Sequence, residues 1–98
     1  MELKITGRHV EVSDQDRQHL TERINRLTKH FDGFHKVDVM VGSEGANMKV
    51  EMVLHAVRGV TLAAEGVGIS VTAAIDRVMD RMDRQIKKLK ERLKDRRS

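Results

Sequence analysis

From Ser70 to Arg97 the chain is written as one long amphipathic helix whose apolar side demands something to cover. Ile75, Met79, Met82, Ile86, Leu89 and Leu93 recur at alternating spacings of four and three, which stacks them along one side. Taking about 100° per residue, Arg77, Arg81, Arg84, Lys88 and Arg92 fall within roughly 80° of one another on nearly the opposite side. The rod thus carries a seam for a core and a cationic stripe for water or a partner. At about 1.5 Å per residue it reaches roughly 40 Å, more than a small sheet can cover, so Lys90 to Arg97 are expected to project. The same seam fits a coiled-coil heptad that would pair two copies. Packing on a sheet within a monomer is the simpler use, because the strands described next otherwise have nothing to cover them.

Leu3 and Ile5 alternate with Glu2, Lys4 and Thr6 up to Gly7, the pattern of a first strand. Ser13 followed by Asp14 and Asp16 reads as a helix N-cap with acids in the first turn, where they complement the helix dipole. Leu20, Ile24, Leu27 and Phe31 supply an apolar face, and the spacing predicts a helix to about His30, stopped by Asp32-Gly33. From Lys36 the period becomes two: Val37, Val39 and Val41, then Met48, Val50, Met52 and Leu54, then Val60, Leu62 and Ala64. Gly42 to Asn47 and Arg58-Gly59 break these strands, Gly66 and Gly68 should loosen the exit from the last one, and Ser70 can cap the long helix. The order β-α-β-β-β-α predicts an α+β fold, a four-stranded sheet with both helices on one face and solvent on the other. The 98 residues allow one domain, with residues 94–98 expected to fray.

Several function classes fall away. There is no cysteine, so disulfides, thiolate chemistry and sulfur-ligated metals are excluded. No apolar run approaches the roughly 20 residues that cross a bilayer, and a cytoplasmic location is expected, with no membrane partner. His9, His19, His30, His35 and His55 form no His-x-x-x-His pair, and a surface role is expected of them; no metal or other cofactor is expected. Asp76, Asp80 and Asp83 share a side of the long helix, where intrahelical pairing with Arg84 and Lys87 is the expected role. No nucleophile motif or phosphate-cradling loop occurs, which points away from an enzyme and from a small-molecule substrate.

Charge distribution is the remaining signal. Residues 1–76 carry nine Lys or Arg against eleven Asp or Glu, whereas residues 77–98 carry ten against four. That surplus exceeds what local ion pairing absorbs and points to a polyanion, with Arg suited to bidentate grip on phosphate. With no Tyr or Trp, stacking on bases is poorly served, and contact with the phosphates and 2′-hydroxyls of folded RNA fits better. A helix-mediated protein-interaction module and a binder of free double-stranded RNA are the alternatives.

Gly7-Arg8-His9-Val10-Glu11-Val12-Ser13, His30-Phe31-Asp32, Val50-Glu51-Met52-Val53-Leu54-His55, Ala73-Ala74-Ile75-Asp76 and Arg84-Gln85-Ile86-Lys87-Lys88-Leu89-Lys90 together resemble the ribosome hibernation-promoting and ribosome-associated inhibitor family. The likeness covers residues 1 to about 95. It implies a fold similar to double-stranded RNA-binding domains, seated on the small ribosomal subunit against 16S ribosomal RNA, where it blocks the channel for messenger RNA and the acceptor and peptidyl tRNAs in stationary phase or stress. Ending before the second domain of the long members, the chain looks like a short form. Matched residue by residue, the resemblance implies RNA contacts at Arg8, His9, Lys29, Arg81, Arg84, Gln85, Lys87, Lys88 and Lys90; Arg77 and Arg92 are added from the stripe alone. Thr72 and Leu89 stand where relatives commonly carry an aromatic, so no stacking contact is expected there, and Ser43 to Asn47 where they are often basic, so that loop is assigned no RNA role.

Overall fold

The computed structural model describes residues 1–29 and 31–95 as β1 (Glu2–Gly7), α1 (Asp14–Thr28), β2 (Phe34–Glu44), β3 (Asn47–Ala56), β4 (Thr61–Gly68) and α2 (Val71–Asp95). The strands lie in the order β1-β2-β3-β4, with β1 parallel to β2 and the other neighbours antiparallel. This is the predicted α+β topology. Val37, Val39 and Val41 of β2, Val50, Met52 and Leu54 of β3 and Leu62 of β4 are buried on one face. Leu20 and Ile24 from α1, and Ala74, Ile75, Val78, Met79, Met82 and Ile86 from α2, complete the same core, which contains no buried polar side chain among the described residues. Burial of such side chains stabilises the fold by about 1.5–3 kcal/mol each, before conformational entropy is set against it.

The helix seam is consumed by the sheet from Ile75 to Leu89, which is 8% exposed. Leu93, one turn further, is 41% exposed, so the end of α2 runs past the sheet as its length required. Lys94 and Asp95 are helical, and the rest of the stretch expected to fray lies outside the described residues. α1 begins as predicted, with the Ser13 hydroxyl accepting from the Asp16 amide at 3.1 Å. It ends at Thr28, with Lys29 as its cap, so Phe31 does not join its apolar face. Phe31 instead packs obliquely on Phe34, ring centroids 4.7 Å apart and planes at 51°, which closes the connection into β2. His30 lies outside the described residues.

Two local expectations are corrected. The break expected over Gly42 to Asn47 shrinks to Gly45-Ala46, because Gly42, Ser43 and Glu44 pair with Lys49, Met48 and Asn47 through backbone groups that any side chain permits. Gly66 and Gly68 do not loosen β4; they are buried within it, under α2. A Cβ at Gly66 would lie 2.5 Å from both the Ala74 carbonyl oxygen and the Val78 amide nitrogen, and one at Gly68 2.8 Å from the Ala73 Cβ and the Ala74 amide nitrogen. These glycines let the helix backbone rest directly on the strand. Gly66→Ala is therefore expected to force α2 outward and lower stability by about 1–3 kcal/mol, read as a reduced urea midpoint with an unchanged slope.

Candidate nucleic-acid interface

The cationic stripe of α2 divides into parts with different work. α2 runs antiparallel to β4, which is an edge strand whose outer carbonyls have no strand to pair with. Arg77 donates from its guanidinium to the Val67 carbonyl, Arg81 to the Glu65 carbonyl at 2.8 Å, and the Gln85 amide to the Ala63 carbonyl at 2.6 Å. Four helix residues advance about 6 Å and two strand residues about 6.8 Å, so three successive rungs stay in step. Three of the predicted RNA-binding side chains thus seal the edge of the sheet. Each arginine keeps further N–H donors beyond the one spent on the strand.

On the opposite flank, α2 turns its acids toward α1. Asp76 Oδ1 accepts from Arg23 at 2.9 Å and lies 3.1 Å from His19 Nε2, tying the two helices together. Asp80 and Asp83 border a surface depression with Arg23 and Arg26. Of the expected intrahelical pairs, Asp83 with Lys87 forms, at 3.0 Å, worth about 0.3–0.5 kcal/mol. The pairing of Asp76 and Asp80 with Arg84 is absent, because α1 supplies a nearer cation for Asp76. Arg84 and Lys88 are exposed, and no carboxylate among the described residues lies within ion-pair distance of either. Lys90 and Arg92 follow on the projecting turns.

Lys29, at the end of α1, lies at the same end of the sheet as those projecting turns, since α1 and α2 both run antiparallel to β2 and β4 respectively and finish where those strands begin. Arg8 and His9 lie at the other end. The Arg8 amide donates to the Val41 carbonyl at 2.8 Å, and His9 takes a left-handed φ of 56° in the reversal toward α1. Arg8 borders a depression on the open sheet face together with Glu44 and Glu51, apart from the helix stripe. On that face Lys49 is compensated: its Nζ lies 3.3 Å from Glu65, 3.4 Å from Glu51 and 3.8 Å from Glu44. The hydrogen bond to Glu65, then the charges of Glu44 and Glu65, raise the Lys49 pKa above its usual 10.5.

Surplus cations therefore collect on the outer side and far end of α2, with Lys29 at the same end of the sheet. Arg58, on the β3–β4 connection at this same end, was not singled out by the sequence, where an arginine beside a glycine reads only as a turn. The aromatic rings are committed elsewhere: Phe34 is buried and Phe31 lies against it. Among the described residues the surface offers cations without an exposed Phe, Tyr or Trp platform, an arrangement suited to phosphates rather than bases. Replacing Arg77, Arg81 and Gln85 together by Met is expected to bare the β4 edge and produce concentration-dependent self-association, seen as heavier species in sedimentation velocity.

Comparison with known proteins follows the same lines. The family described as Sigma 54 modulation protein / S30EA ribosomal protein matches residues 3–94. A ribosome hibernation promoting factor of Azotobacter vinelandii is 37% identical over 92 residues, covering 94% of this chain and 85% of the relative. That of Escherichia coli K12 is 34% identical over 94 residues, covering 96% and 98%. Among solved structures, the Thermus thermophilus Protein Y N-terminal domain superposes with a TM-score of 0.80 at 28% identity, over 91% of this chain and 99% of that one. A ribosomal subunit interface protein from Coxiella burnetii gives a TM-score of 0.86 at 19% identity over 93% and 99%, which speaks to the fold alone. On sequence and architecture together, the chain belongs to the Sigma 54 modulation protein / S30EA ribosomal protein family.

Proposed function

We propose that this chain is a ribosome hibernation factor: a non-catalytic protein of the cytoplasm that binds the small ribosomal subunit through 16S ribosomal RNA. It holds the channel used by messenger RNA and the acceptor and peptidyl tRNAs, and it inhibits translation in stationary phase or stress by occupying space. The observation that carries this reading is the run of exposed, uncompensated cations from Arg84 and Lys88 toward the projecting end of α2. Family membership and the names of the relatives support it. Binding is electrostatic in origin, with Lys29, Lys90 and Arg92 adding to the same field and Lys87 contributing in competition with Asp83. Arg77, Arg81 and Gln85 take part only with the donors that remain outside the sheet edge. Arg8 and His9 reach RNA from the other end of the sheet.

The apolar seam is spent on the sheet as far as Leu89, which leaves a helix-pairing module little surface to work with. Salt is the discriminating variable. Cosedimentation with purified small subunits should fall by orders of magnitude between about 50 and 200 mM salt if several phosphates are contacted, while an apolar contact would be insensitive. The double reversal Arg84→Glu with Lys88→Glu should abolish cosedimentation at about 100 mM salt while leaving the unfolding transition in place, because neither side chain enters the core. Undiminished cosedimentation of that variant would overturn the site.

A further inference from the structure

The connection between β3 and β4 carries a cation in a backbone conformation that side chains other than glycine seldom adopt. Arg58 has φ 63° and ψ 28°, followed by Gly59 at φ 74°. Asn, Asp or Gly would hold that left-handed position at lower cost, and such residues gather at functional surfaces more than elsewhere. The tip is anchored rather than loose. The Ala56 amide donates to the Val60 carbonyl at 2.7 Å, and the Val57 amide to the Gly33 carbonyl at 2.8 Å, binding the tip to the turn that leads into β2. Arg58 is exposed between exposed Val57 and Val60, and no carboxylate among the side chains described, residues 1–29 and 31–94, lies within ion-pair distance of it.

Its position relative to α2 follows from the rungs that seal the sheet edge. Val67, Glu65 and Ala63 face residues 77, 81 and 85. Continuing that register sets Thr61 level with Leu89, so the tip at residues 57–60 lies alongside the last turns, where Arg92 occupies the edge-side position and Lys88 stands one turn before it. We propose that Arg58 is a further contact to the phosphodiester backbone of RNA, presented by a rigid hairpin tip next to the projecting end of α2, so that one phosphate run is held from the helix and from the sheet. This inference rests on the polyanion-binding reading above and adds to it a second element of the fold.

The test compares wild type, Arg58→Asn and Arg58→Lys in titrations with purified small ribosomal subunits between about 50 and 200 mM salt, with thermal unfolding recorded in parallel. Removing one phosphate contact should lower the slope of log affinity against log salt by about 0.7–0.9 and weaken binding about five- to tenfold at 100 mM salt. Arg58→Lys should keep the wild-type slope. Arg58→Asn should unfold at no lower temperature, since Asn tolerates the left-handed region. Salt-sensitive wild-type binding with the same affinity and slope in Arg58→Asn would overturn the role of Arg58 alone. Absence of wild-type binding would remove the underlying reading and this one with it.

Discussion

The close seating of α2 on β4 is the contact from which the rest of the molecule follows. With hydrogen in place of a side chain at Gly66 and Gly68, the helix backbone comes within van der Waals reach of the strand, and Ala73, Ala74 and Val78 meet it with small or branched groups. That proximity sets Ile75, Met79, Met82 and Ile86 into the sheet at full depth, and it also brings the flank of the helix near enough for Arg77, Arg81 and Gln85 to reach strand carbonyls. A bulkier strand would hold the helix off, lose the dense core, and leave those three side chains short of their acceptors.

Charge along α2 is arranged by neighbour. Where α1 lies alongside, the flank facing it carries Asp76, which pairs with Arg23 and meets His19, and Asp80 and Asp83, which border the same depression as Arg23 and Arg26. Beyond the end of α1 the same flank changes sign to Lys87 and Lys90. The acids belong to helix packing and the bases beyond them have no partner of that kind, which is why the field is concentrated at one end instead of spread over the helix layer. On the open sheet face Lys49 adds little to it, being surrounded by three glutamates.

Element order and core membership were legible because periodicity reports which side of an element is dry: the valines of β2 and the seam of α2 are buried as their spacing requires. What a single sequence does not carry is what lies beside each flank. A helical wheel groups Arg77 with Arg84, yet one bonds to a strand carbonyl and the other faces water, a difference fixed by contacts ten or more residues away in the chain. The same blindness assigned Asp76 to its own helix and Gly66 to a loosened exit. Phe31 was misplaced because its spacing fits the helix, while its ring finds a better surface on Phe34 after the helix has stopped. That Arg84, Lys88 and Arg92 share a cationic stripe was readable from their spacing; the left-handed backbone at Arg58 was not.

A polyanion gathers basic proteins at densities far above those of free solution, and sheet proteins crowded together are prone to add strands to one another. Along β4 the row of carbonyls that would template such growth is already occupied by side chains of the same molecule. The side chains of Arg77, Arg81 and Gln85 thus keep this edge from seeding a fibre wherever copies of the chain are crowded together.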